Sequence, residues 1–324
     1  MANTFSIAMC TYNGARHLSE QLDSISTQSR LPDELVICDD ASTDDTRAIL
    51  TDFAASAPFP VHLHFNERNL GSTKNFECAI RQCTGDMIAL CDQDDVWLPE
   101  KLSALETKFA SVPSVGLIFS DAEVIDESAR SAGYTLWEKL SIRNAELRSL
   151  RSQRAVDALL QGSTVTGATM AFRGRFKELV LPIPNDLPVI HDAWIALLVA
   201  AVSQVFPFAT PLIRYRQHSA QQVGAKERVE AEAGVIEAMQ RKTSYTEMIQ
   251  VGAEARQRLA DYSGVYESVD AISGLDARLQ HLRARASLPE GRLGRVRLVA
   301  AELLSRRYHL YSNGFRSAVK DLLF

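Results

Sequence analysis

Met87-Ile88-Ala89-Leu90-Cys91-Asp92-Gln93-Asp94-Asp95-Val96-Trp97 is the run on which the reading of this chain turns. Its five leading apolar residues have the length and character of a strand buried on both faces. Three carboxylates then follow within four positions, and at neutral pH they repel one another. A hard divalent cation relieves that repulsion. Mg²⁺ or Mn²⁺ prefers oxygen ligands, often one or two carboxylates with substrate phosphates completing the shell. An aspartate-rich start to the helix that opens near Pro99 accounts for one of these carboxylates comfortably and for three poorly.

Upstream, strand and helix signals alternate with short connections. Phe5–Cys10 is an apolar run of strand length ended by the turn signal Tyr12-Asn13-Gly14. Ala15 to Thr27 then places Leu18, Leu22 and Ile25 at helical spacing. Leu35–Cys38 is a second buried strand running into Asp39-Asp40-Ala41-Ser42, where Ser42 with Asp45 predicts a capping box opening a helix through Phe53. Val61–Phe65 is a third strand, Gly71 precedes a helix from Ser72 to Cys83, and Val115–Phe119 starts a fifth strand after the acidic run. Such alternation implies an α/β fold, Rossmann-like, with a mostly parallel sheet and helices on both faces. Ligands of such sheets sit at the carboxyl ends of the strands, at a topological switch point. Thr11–Asn13, Asp39–Asp40 and Asp92–Asp95 all follow carboxyl ends and are predicted to converge on one crevice.

Downstream, Thr164–Arg173 reads as a strand, Asp192–Val202 as a buried helix, and Leu212–Arg216 as a strand ending at Gln217-His218. From about Gly224 the pattern is helical, polar and Ala/Glu/Arg-rich, broken at Pro289–Gly291. There Leu293, Val296, Val299, Ala300, Leu303, Leu304 and Tyr308 are expected to form one apolar face, flanked by Arg292, Arg295, Arg297, Arg306 and Arg307. The chain of 324 residues carries a formal net charge of −5, yet His281 to Phe324 holds nine Lys/Arg against three Asp/Glu. A basic tail on an acidic body suits anionic lipid or a phosphate-bearing partner and disfavours nucleic acid. With 46% hydrophobic and 23% charged residues, disordered and fibrous classes are excluded.

The longest apolar run, Ala193 to Val202, is half of the roughly 20 residues a spanning helix needs. The start shows no basic stretch followed by an apolar leader core, so a cytoplasmic protein is expected, with the inner membrane face as a peripheral location. Five cysteines (Cys10, Cys38, Cys78, Cys83, Cys91), odd in number and without CxxC spacing, are read as reduced. Cys78 and Cys83 are assigned to the core.

Several residues have two readings. One carboxylate of Asp39-Asp40 either accepts an N–H of a pyrimidine base or makes an ordinary turn bond. Tyr12 either stacks on that base or is a turn aromatic. Asp192, in Val189-Ile190-His191-Asp192-Ala193-Trp194, is either a plain N-cap or a general base. His218 is either a surface imidazole or a metal or diphosphate contact.

Three segments together resolve much of this. Cys10-Thr11-Tyr12-Asn13-Gly14, Val36-Ile37-Cys38-Asp39-Asp40-Ala41-Ser42-Thr43-Asp44-Asp45-Thr46, and Gly85-Asp86 with Asp92-Gln93-Asp94-Asp95-Val96-Trp97-Leu98-Pro99-Glu100-Lys101-Leu102 resemble the family-2 glycosyltransferases of the GT-A fold. The likeness runs from residue 5 to about 220. It implies that Thr11, Tyr12, Asn13 and Asp40 line the nucleotide base, with Lys74 and Asn75 nearby. Asp92 and Gln93 would lie by the ribose and diphosphate. Asp94 would be the principal metal ligand, with Asp92 and His218 beside it. Asp192 occupies the catalytic-base position, which often reads Glu-Asp where this chain has His191-Asp192. His191, Trp194 and Arg216 are candidates for the acceptor side. Arg216-Gln217-His218 matches a late family element, and Ser219–Gln222 departs from its commoner Asn-containing form.

The resemblance implies a GT-A catalytic domain over 1–223, with a nucleotide-sugar half to about 120 and an acceptor half after it. A helical region over 224–324 would serve a membrane surface or a twin subunit. The implied reaction is metal-assisted, inverting transfer of a sugar from a nucleotide-sugar donor to a saccharide or lipid-linked acceptor in cell-surface polysaccharide synthesis. Tyr215-Arg216-Gln217-His218 and Tyr311-Ser312-Asn313-Gly314 are most similar to bacterial rhamnosyltransferases of O-antigen assembly, which implies dTDP-rhamnose; a UDP-sugar is the alternative donor. A nucleotidyl- or phosphoryl-transfer enzyme and a silent sugar-binding subunit are the rivals.

Overall fold

Strands β1 (Phe5–Thr11), β2 (Glu34–Asp39), β3 (Val61–Phe65) and β4 (Met87–Cys91) pair in parallel in the spatial order β3-β2-β1-β4. Every residue of β1, β2 and β4 is buried, as continuous apolar runs require, whereas edge strand β3 leaves residues exposed. The computed structural model describes residues 3–152, 154–161, 165–218, 235–289 and 291–323. The expected boundary at 223/224, the departure at 219–222 and the residue at 164 lie outside them.

Helices α1 (Ala15–Ser26), α2 (Thr46–Ser56) and α3 (Ser72–Gln82) connect the first four strands. Leu18, Leu22 and Ile25 of α1 and Phe76, Ala79 and Ile80 of α3 are buried, each large side chain contributing about 1.5–3 kcal/mol. The capping box expected from Ser42 and Asp45 does not form. Ser42 Oγ instead donates to Asp39, and Asp44 accepts from the Thr46 amide at 3.1 Å. The helix opens only at Thr46, with Asp45 as its N-cap, and the Ser42 oxygen accepts from the Asn13 amide instead.

After β4 come the short β5 (Val96–Trp97), α4 (Lys101–Ser111), β6 (Val115–Ile125), β7 (Ser131–Thr135), α5 (Leu136–Lys139), α6 (Asn144–Leu150) and α7 (Ala155–Gln161). A 3₁₀ turn (Gly167–Thr169) leads into β8 (Met170–Arg173), followed by α8 (Lys177–Val180), α9 (His191–Val202) and β9 (Gln204–Arg216). The strand expected over 164–173 is therefore confined to its last four residues. β8 runs antiparallel between β4 and β6, while β9 pairs parallel with β6 and antiparallel with β5, giving one nine-stranded sheet among the described residues. Residue 120, the expected divide between donor and acceptor halves, falls within β6.

The chain resolves into two compact units, residues 1–155, 163–185 and 189–228 in the first and 156–162, 186–188 and 229–324 in the second. In the second, α10 (Val235–Asp261) and α11 (Val269–Ala286) pack through Val251, Ala255, Leu259, Leu275, Leu279 and Leu282. α12 (Arg292–Leu304), α13 (Arg307–Tyr311) and α14 (Phe315–Leu323) enclose Val299, Tyr308 and Ala318. The single apolar face expected from Leu293 to Tyr308 is divided. Val299 and Tyr308 turn inward, whereas Leu293 is 91% and Leu304 86% exposed. Inside, His281 meets Glu302 at 2.6 Å, Arg307 pairs with Glu302, and Arg285 and Tyr308 both bond Asp321. Among the described residues no helix is long and apolar enough to cross a membrane.

Candidate active site

The strand order reverses between β1 and β4, and the polar segments leaving these strands are tied together. Gln93 accepts from the Tyr12 amide at 2.8 Å and donates to the Tyr12 carbonyl at 3.0 Å. A Cβ at Gly14 would stand 2.1 Å from Gln93 Oε1, so only glycine admits this amide. Asn13, in the left-handed region at φ 48°, accepts from the Thr43 amide and joins the exits of β1 and β2. Tyr12 is left 42% exposed, while Thr11 is buried and donates to Asp39 at 3.0 Å.

Asp39 is wholly buried and spent on structure, accepting from Thr11, Ser42 and Arg47. Asp40 organises the segment before α3. Its Oδ1 accepts from Asn66 Nδ2 and the Leu70 amide, and its Oδ2 from the Gly71 amide. Asn75 donates to the Cys38 carbonyl and accepts from Asn66. Asn66 thus links two residues found by sequence, and it went unnoticed itself. It follows the end of β3, and the carboxyl-end rule that flagged the others would have found it. Lys74 pairs with Glu77 and donates to the Ile183 carbonyl.

The acidic run divides its labour. Asp95 is buried and accepts from the Arg216 amide at 2.9 Å, with burial pushing its carboxyl well above the usual range. It is a structural group, which answers the difficulty of explaining three carboxylates at once. Asp94 stays partly exposed and meets His218 Nε2 at 2.8 Å, and the ring of His17 lies 5.4 Å from that of His218. Asp92 has its carboxyl raised to about 7, first by burial and then by Asp94 and Asp192. The same four carboxylates, Asp95, Asp92, Asp94 and Asp192, add to the burial that lifts the Tyr215 phenol. Asp192, distant in sequence, therefore faces the crevice at the end of β4.

Asp192 lies in the first turn of α9, and the N-cap is Ile190, so the plain N-cap reading is corrected. Its Oδ2 accepts from the Gly167 amide at 2.9 Å and its Oδ1 from the Ala193 amide at 2.6 Å. His191 stacks on Phe76 with ring centroids 4.0 Å apart, and burial lowers its pKa.

Two acceptor-side expectations are overturned. Trp194 is fully buried and donates its indole N–H to the Val180 carbonyl, because α9 is apolar on nearly every side and turns its largest residue into the core. Arg216 is 1% exposed, and its guanidinium donates to the carbonyls of Asp94, Asp126 and Glu127 and to Glu20. It braces the acidic loop and presents no surface to an acceptor. Cys78, assigned to the core, is only partly buried. Lys101, within the third of the family-like segments, is buried 3.7 Å from the Trp97 ring centroid and donates to the Ala168 carbonyl.

Among the described residues no trio of His, Cys, Asp or Glu side chains makes a ready metal cage. The donors present still fit a divalent cation that takes few protein ligands. Asp94 lies close enough to Asp92 to raise its carboxyl, and the buried cations Arg216 and Lys101 are engaged by backbone carbonyls and, for Arg216, also by Glu20.

The chain shares its fold with residues 1–349 of Staphylococcus aureus TarS, solved in complex with UDP: the TM-score is 0.55 at 15% identity, covering 98% of this chain and 89% of that one. An uncharacterised glycosyltransferase of Nostoc sp. is 28% identical over 220 residues, spanning 66% of this chain and 65% of its own length. This chain therefore covers slightly less than two thirds of that relative. The dTDP-rhamnosyl transferase RfbG of Shigella flexneri is 28% identical over 230 residues, covering 67% of this chain and 74% of that protein. The family model "Glycosyl transferase family 2" matches residues 6–179, more than half of the sequence. With the GT-A expectation met by the sheet and its crevice, this chain belongs to glycosyl transferase family 2.

Proposed function

We propose that this protein transfers a sugar from a nucleotide-diphosphate donor to an acceptor hydroxyl with inversion at the anomeric carbon. The observation that carries this reading is that Asp94 and Asp192 lie close enough to Asp92 to act on its carboxyl, beside the linked polar exits of β1 and β2. Thr11, Tyr12, Asn13 and Asp40, with Lys74 and Asn75, hold the base. Asp40 Oδ2 accepts one amide and keeps a lone pair for a base N–H. Asp92 and Gln93 border the ribose and diphosphate. Asp94 with His218, and Asp92 alongside, would hold Mg²⁺ or Mn²⁺, which when bound neutralises charge growing on the departing diphosphate. Asp192, its carboxylate aimed by the Gly167 and Ala193 amides, takes the proton of the acceptor hydroxyl, a contribution of about 10²–10⁴-fold.

The relationship to RfbG supports dTDP-β-L-rhamnose as donor, giving an α-L-rhamnoside on a saccharide or lipid-linked acceptor. Kinship of fold with a protein solved with UDP supports a UDP-sugar as the second reading. We assign residues 1–223 to the transfer and 224–324 to docking at the inner membrane face. Supporting this, α12 exposes Leu293, Val296 and Leu304 and α14 exposes Phe315, Val319 and Leu323, among exposed Arg297, Arg306 and Arg316.

Thermal stability against a panel of nucleotide sugars with Mg²⁺ or Mn²⁺ tests the donor. A ligand at 100 times its Kd adds about 2.7 kcal/mol. Stabilisation by dTDP-rhamnose, lost in Asp94→Ala, is the expected result. Stabilisation by a UDP- or GDP-sugar instead removes rhamnose and keeps the transfer, and no response to any of them sinks both.

A further inference from the structure

Cys38, near the end of β2, and Cys78, on α3, have their sulfurs 3.0 Å apart, with the Cys38 thiol donating to Cys78. Cys38 is fully buried, while Cys78 is part-exposed and lines an open cavity of about 680 Å³ together with His64, Arg68, Arg81 and Gln82. Gln82 Nε2 reaches both sulfurs, at 3.6 and 3.5 Å. One sulfur is thus accessible among cations and the other waits behind it.

We propose that Cys38 and Cys78 are an oxidation site, a dithiol that hydroperoxides close to a disulfide, and that closure weakens nucleotide binding in the adjoining cleft. Cys78 reacts first: the Cys38 hydrogen bond, with help from His64, Gln82 and Arg81, holds its thiol below the ordinary range. The other three cysteines are buried thiols pushed upward, chiefly by burial. The Cys78 thiolate attacks a peroxide oxygen, so an S–O bond forms, the O–O bond breaks, and the far oxygen leaves as hydroxide or alkoxide to be protonated. The Cys38 sulfur then attacks Cys78, the S–S bond forms, the S–O bond breaks, and the departing oxygen carries the Cys38 proton away as water. Two thiols are oxidised and one peroxide is reduced.

Closure draws the sulfurs to about 2.05 Å and pulls α3 toward β2. One turn before Cys78, Asn75 donates to the Cys38 carbonyl at 2.8 Å and accepts from Asn66, which donates to Asp40 at 2.9 Å. Movement of α3 therefore reaches the group assigned to the nucleotide base. That second step rests on the donor-site reading above, and the disulfide does not.

Full-length protein is treated with hydrogen peroxide, digested without reductant and read by mass spectrometry. The expected product is a linked Cys38–Cys78 peptide pair, reversed by dithiothreitol and absent in Cys78→Ser and Cys38→Ala. Cys38→Ala should instead leave a Cys78 sulfenic acid that dimedone traps. Calorimetric titration with UDP and dTDP in Mg²⁺ should give roughly tenfold weaker binding to the oxidised protein, restored on reduction. Over-oxidation of Cys78 without linkage, or linkage through another cysteine, overturns the site. Linkage with unchanged affinity overturns the coupling. Failure of the reduced protein to bind either nucleotide counts against the donor-site reading and leaves the disulfide result standing.

Discussion

Gly167 leaves Asp192 no freedom. Its amide holds Asp192 Oδ2, and a Cβ there would stand 3.0 Å from His191 Nε2 and 3.4 Å from Asp192 Cβ. Gly167→Ala is therefore expected to lower kcat by about 10- to 100-fold through misplacement of the base, with nucleotide affinity little changed. Asp192→Asn keeps one carbonyl oxygen, enough to accept from only one of the two amides, and takes no proton, so turnover should nearly vanish while calorimetry shows donor binding intact. Donor affinity falling as far as turnover would show that Asp192 serves binding as well. Asp92 gives a pH signature. Its carboxyl is raised in the fold from the ordinary 3.8 to about 7, so the stability it contributes is complete below 3.8 and is lost as pH climbs toward 7. Thermal melts without cation should fall across that window, and less so in Asp92→Asn. Cation binding requires the ionised form, so stabilisation by Mn²⁺ with nucleotide should grow from pH 6 to pH 8.

The end of β9 carries comparable weight for its neighbours. Arg216 joins the loop after β4, the exit of β6 and helix α1 through one guanidinium. Arg216→Ala should cost about 3 kcal/mol in urea unfolding, since buried carbonyls lose charge-assisted bonds, and Arg216→Lys should not restore it. Strands β1, β2 and β4 were legible because a strand buried on both faces must be an unbroken apolar run, and the crevice was legible because their exits are polar. Arg216 was not, since its partners come from segments remote in sequence that no local spacing reveals. The same holds for β8, whose antiparallel seat depends on β4 and β6. Trp194 was misread because a residue beside a candidate base looks like part of the site until the apolar character of its whole helix is given priority.

At the scale of the whole molecule, the helical unit is where sequence and structure part most. Heptad-like spacing puts Leu293 and Tyr308 on one stripe, but a buried polar network around His281, Glu302, Arg285 and Asp321 folds α12 to α14 onto one another and divides it. What stays outside is apolar and basic, with Phe315 67% exposed. Sedimentation with phosphatidylglycerol vesicles should capture the protein at low salt and release it at high salt, each engaged cation contributing about 1 kcal/mol. Leu304→Glu with Phe315→Glu should abolish capture, and full retention in the supernatant at low salt would remove the membrane role. The nine-stranded sheet has a further consequence during synthesis. β4 is an unbroken apolar strand, and one of its edges is covered only by β8, which emerges from the ribosome long after it. Until Met170–Arg173 is made, the nascent chain presents Met87–Cys91 as an open, adhesive edge. Amino-terminal fragments ending before residue 170 should therefore precipitate where the whole chain stays dispersed, and the growing polypeptide has reason to engage a holding chaperone through that interval.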